Sequence, residues 1–153
     1  MKSFPLTRTW LLIVMATWSI GADVMPNASK SEYFETKGAM FLLDRTNMTF
    51  RYWLLLSVSK PFPKDAIVEA VFENPTNKNS PLTTTRKLDG TEKELRLESS
   101  SVHGLKYRKN YDSDVRLFAD GAKKNLVSTH KQQVQHAMPP KELKRITNAW
   151  KKN

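Results

Sequence analysis

Cysteine is absent from all 153 residues of the chain. No disulfide can staple the fold and no thiol can serve as a nucleophile, so a folded domain must be held by apolar burial. The same absence excludes the lipid-anchored form of bacterial export, which needs a Cys at the cut. Glycine is also scarce: its five copies stand alone at positions 21, 38, 90, 104 and 121. Isolated glycines build neither a phosphate cradle nor a Gly-x-Ser-x-Gly nucleophile elbow. The three histidines, His103, His130 and His136, contain no pair with a Glu in helical metalloprotease spacing. On a regular strand His130 and His136 would stand about 20 Å apart, too far to share a metal. Asp112 and Asp114 flank Ser113, but no loop follows that could supply six or more oxygen ligands, so these three residues read as a turn. No catalytic, cofactor or metal site is expected.

A long apolar run is missing as well. Residues 9–22 form an uncharged stretch of 14, whereas a membrane-spanning helix needs about 20. Lys2 and Arg8 precede this stretch, its apolar centre is residues 10–18, and it ends in the small residues Ser19, Gly21 and Ala22 before Asp23. Basic, apolar and small residues in that order predict a cleavable secretory signal over residues 1–22, cut after Ala22 or Gly21. Removing it takes away Lys2 and Arg8, lowers the formal charge from +10 to +8 and leaves 131 residues, enough for one domain. An exported domain without Cys fits a bacterial envelope, periplasmic or secreted, better than an animal secreted protein. Asn27-Ala28-Ser29 and Asn47-Met48-Thr49 match the glycosylation triplet, which matters only in a eukaryotic secretory route.

What is present divides the mature chain in three. Residues 23–38 are polar without a clear period and read as a linker or N-terminal arm. Residues 39–136 carry nearly all the apolar periodicity and form the expected domain. Residues 137–153 are a basic amphipathic tail opened by Pro139 and Pro140.

Within the domain the dominant period is two. Over residues 49–59, Phe50, Tyr52, Leu54, Leu56 and Val58 fall on one face, while Trp53 and Leu55 interrupt the otherwise polar second face. That pattern predicts a central antiparallel strand whose second face is partly covered. Residues 39–43 and 66–72 read as strands, the latter ended by Asn74 and Pro75. Residues 82–88 and 91–97 flank Asp89-Gly90, the pair suited to a tight two-residue turn, and predict a hairpin. Further strands are expected at 102–108, 115–119 and 126–135. About eight short strands with turn signals between them indicate an all-β fold: an antiparallel, immunoglobulin-like two-sheet sandwich, with a small β-barrel as the alternative.

The basic charge has two concentrations. In the first, Lys106, Tyr107, Arg108, Lys109 and Tyr111 alternate cations with aromatics, followed by Arg116, Lys123 and Lys124. In a cytosolic chain this would read as a nucleic-acid surface. Export removes nucleic acid from consideration and leaves an acidic envelope component, an anionic membrane surface or glycan, as the polyanion. In the second, residues 141–152 place Leu143, Ile146 and Trp150 on one side of a helix with Lys144 and Arg145 among the surrounding cations. Pro140 suits its first turn. A helix of that kind docks on its own domain, on a partner or on a membrane. The expected function is therefore a non-catalytic protein-binding or assembly component of the envelope or a secretion apparatus, acting through sheet edges and the basic tail. The alternative is a binding module for anionic glycans or lipid headgroups.

Overall fold

The computed structural model describes residues 28–150; the expected signal segment, the start of the arm and the last three residues lie outside them. Strands β1 (Phe34–Asp44), β2 (Thr49–Val58), β3 (Ile67–Phe72), β4 (Leu82–Lys87), β5 (Glu94–Glu98), β6 (Asn110–Phe118) and β7 (Leu126–Gln135) are followed by helix α1 (Pro140–Trp150). All strand pairs are antiparallel, in a three-stranded sheet of order β1-β2-β5 and a four-stranded sheet of order β4-β3-β6-β7. The sheets are not closed into a barrel.

The period-two pattern becomes the core. From β2, Phe50, Tyr52, Leu54 and Leu56 point inward, and from β5 Leu95 and Leu97 do so. Across from them lie Val68, Ala70 and Phe72 of β3, Tyr111, Val115 and Leu117 of β6, and Val134 of β7. The two layers meet in aromatic contacts: Tyr52 stacks on Phe72 with centroids 4.8 Å apart, and Phe41 meets Tyr111 edge-on at 5.7 Å. Such pairs contribute about 0.5–1.5 kcal/mol each beyond their burial. Several buried polar groups have partners. Ser113 donates to Gln132 O at 2.7 Å, Ser99 Oγ accepts from Tyr52 N at 3.0 Å, and Thr36 Oγ1 lies 2.7 Å from His130 Nε2.

Four sequence expectations are corrected. Among the described residues the strands number seven instead of eight, because residues 102–108 are irregular: Val102 alone bridges to Phe50, and both Gly104 (φ 74°) and Arg108 (φ 60°) leave the extended region. The predicted hairpin around Asp89-Gly90 does not form, since β4 pairs with β3 and β5 pairs with β2. On one side of the turn Leu88 N donates to Ala66 O at 2.9 Å, and on the other Val58 N donates to Lys93 O at 2.8 Å. The two arms are thus drawn onto different sheets. Glu92 accepts from Asp89 N and Gly90 N and holds the crossover. Asp112, Ser113 and Asp114 are not a turn; they lie within β6, with the carboxylates outward and Ser113 inward. Finally, β1 opens at Phe34, ahead of residue 39, with a register shift between Thr36 and Gly38. Before β1, Ala28 bridges to Gln132 and Ser29 N donates to Lys131 O at 2.9 Å, so the chain touches the edge of β7 before it enters the other sheet.

Candidate functional site

The first basic concentration is a loop shaped by the strand that follows it. At the start of β6, Tyr111 turns inward and is 1% exposed, and its hydroxyl accepts from Lys106 N at 2.7 Å across the loop. Lys109 N donates to Lys106 O and closes the turn. Tyr111 therefore builds the loop from within, while Tyr107, 39% exposed, is the ring that reaches solvent. The Arg108 guanidinium lies 5.1 Å from the Tyr107 centroid. Lys109 Nζ sits 4.8 Å from the Tyr111 ring and 3.9 Å from Glu73.

The same loop is fastened to the lead-in of the helix. Arg108 N donates to His136 O at 2.8 Å, and His136 N donates to Lys109 O at 3.0 Å. The His136 ring is buried edge-on between Phe41 and Phe50. Burial pushes its pKa below the ordinary value. This pair of bonds unites the two basic concentrations at one end of the sandwich, although they lie far apart in sequence. Arg116, Lys123 and Lys124 are separated from them: Arg116 and Lys123 pair with Glu69, and the 119–125 loop leaves β6 at the opposite end.

Helix α1 begins at Pro140, in keeping with its tolerance in a first helical turn. None of its residues is buried. Leu143 and Ile146 are part-exposed and Trp150 is 52% exposed. Lys144 is exposed, and Arg145 pairs with Glu142 at 2.9 Å. Among the described residues no helix is long and apolar enough to cross a membrane.

A second surface was not singled out from sequence. On the outward side of the three-stranded sheet, Met40 stands opposite Trp53, and Gly38 opposite Leu55, with Leu42 next along β1. Met40 is 45% exposed, and Leu42, Trp53 and Leu55 are half-buried. The Trp53 ring lies over Gly38, where a Cβ would come within 2.7 Å of it. Arg51, held by Asp44 and Glu98, and Arg96, also held by Glu98, rim this apolar patch. The sequence signal was the intrusion of Trp53 and Leu55 into the polar face of β2, together with the unbroken apolar run at 39–43.

An open groove of about 600 Å³ crosses the outer face of the other sheet, past Val71, Glu73, Asp114, Lys131 and Gln133. Its carboxylates are engaged: Glu73 by Lys109 and Asp112 N, Asp112 by Gln133, and Asp114 by Arg116. Among the described residues no group of three His, Asp or Glu could hold a metal ion. No protein-family model matches the chain, and no curated protein matches it.

Proposed function

We propose that the protein is an exported, non-catalytic component of the bacterial cell envelope that binds another envelope protein within an assembly or secretion apparatus, and that its two sheets form an immunoglobulin-like sandwich. The architectural reading is supported by the seven-strand order and by Tyr111. A tyrosine at the start of the sixth strand bonding back to the backbone five residues earlier is the corner contact of such sandwiches.

One observation carries the binding reading: among the described residues, the outward patch of Met40, Leu42, Trp53 and Leu55 stays part-exposed on a sheet rimmed by charge. Contiguous apolar surface with a polar rim is the anatomy of a protein-binding patch. Ala28 and Ser29 already occupy part of the β7 edge, and β4 presents a polar edge rich in Thr, Arg and Lys. A photoreactive residue placed at Leu55 should trap a discrete partner in the native compartment, while one at Lys64, at an end of the sandwich, should not. Identical patterns from both positions would refute the reading. N-terminal sequencing of exported material should begin near Asp23.

A second reading, a module for anionic glycans or lipid headgroups, is favoured by the convergence of the 106–109 loop and α1 at one end. Polyanion binding there should fall sharply as ionic strength rises.

A further inference from the structure

We infer that the end of the sandwich built from the 106–109 loop and α1 is a docking surface for an anionic lipid bilayer, with α1 lying in the headgroup layer. The inference rests on the second reading above and commits it to lipid.

Three observations point the same way. The helix carries Leu143, Ile146 and Trp150 at spacings of three and four; Leu143 and Ile146 are half-buried and Trp150 is 52% exposed. An amphipathic helix with a basic polar side and an apolar stripe that ends in an exposed Trp has a bilayer interface as its complementary environment, and Trp favours the headgroup level. The cations at this end are also available. Glu73 engages Lys109 and Glu142 engages Arg145, whereas Lys106, Arg108, Lys141 and Lys144 have no ion-pair partner among the described residues.

Lastly, Arg108 sits at φ 60°, a left-handed conformation that Gly or Asn adopts at lower cost. The two bonds through His136 hold it there, so the loop tip presents a cation in a strained position beside the root of α1. The two bonds to His136 hold the loop close to the chain that leads into α1, so both sets of cations lie at the same end of the sandwich.

The test compares sedimentation of the purified protein with vesicles of phosphatidylglycerol and phosphatidylcholine against vesicles of phosphatidylcholine alone. The ratio of the two cancels any contribution that does not depend on lipid charge. Each basic residue close to an anionic surface is worth about a fivefold change in partitioning, so K106Q/R108Q/K144Q should cost roughly a hundredfold of the preference for anionic vesicles. K64Q/K93Q/K124Q removes equal charge from the opposite end and should leave most of it. Anionic vesicles should also shift tryptophan emission to the blue, and W150F should abolish that shift. Equal losses in the two triple variants would overturn the inference, since net charge alone would then explain binding. Binding to a soluble anionic polysaccharide as tight as to vesicles, with Trp150 emission unmoved, would overturn the lipid assignment and leave the polyanion reading standing. Failure to bind either probe would overturn both.

Discussion

Acidification should destabilise the fold through two histidines well before its carboxylates titrate. His130 is buried against Phe34, and burial depresses its pKa in spite of a backbone hydrogen bond with Ser29 that works the other way. His136, buried between Phe41 and Phe50, is depressed by burial alone. Both rings regain an ordinary value near 6.5 on unfolding. The unfolded state therefore binds more protons below that pH, and stability is full above it and falls as pH drops towards the folded values. Between about pH 7.5 and 5.5 each ring that stays neutral in the folded protein withdraws about 1.4 kcal/mol, so the pair withdraws at most about 2.7 kcal/mol. Urea unfolding followed by tryptophan fluorescence at the two pH values measures the loss. His136→Leu keeps the pocket apolar and should reduce the dependence. An equal pH dependence in wild type and variant, or a flat wild-type profile, would refute the assignment.

Three further outcomes are expected from urea titrations of single variants. Tyr111→Phe leaves Lys106 N without its acceptor and should cost about 1–2 kcal/mol, with faster amide exchange at Lys106. Gly38→Ala drives a methyl into the Trp53 ring and should cost about 1–3 kcal/mol, with tryptophan emission moving to the red as the indole lifts away. At Gly90 (φ 88°) a methyl meets open space, so Gly90→Ala should cost about 1–2 kcal/mol from backbone conformation alone.

The sequence pattern exposed the inner faces far better than the connections. Phe50, Tyr52, Leu54 and Leu56 alternate because one side of β2 is core, and the same logic found Leu95 and Leu97. Asp89-Gly90 misled because turn chemistry reports a local bend and not the partners of its two arms. Those partners are chosen by Ala66 and Val58, each more than twenty residues away. Strand β6 was cut short because Asp112, Ser113 and Asp114 carry turn-forming side chains. Yet Tyr111, Ser113, Val115 and Leu117 keep period two, and Ser113 is reconciled with burial by Gln132 O. At the candidate site, Lys106, Tyr107, Arg108 and Lys109 were legible as a basic aromatic loop. The inward turn of Tyr111 and the meeting with α1 were not, since both depend on a contact with His136 that no local pattern records.

The arm at Ala28 and Ser29 bears on the order in which the chain folds. Lys131 N bonds Ser29 Oγ across a separation of 102 residues, whereas β1 and β2 are joined by a short turn. Closing so long a loop is slow, and a chain synthesised from its N-terminus cannot begin until β7 has appeared. The β1–β2 hairpin can therefore form early, with Trp53 and its neighbours on one side and the future core on the other. The clasp of the arm on β7 has to follow that hairpin. Until that clasp closes, the apolar surfaces of the early hairpin are exposed to aggregation.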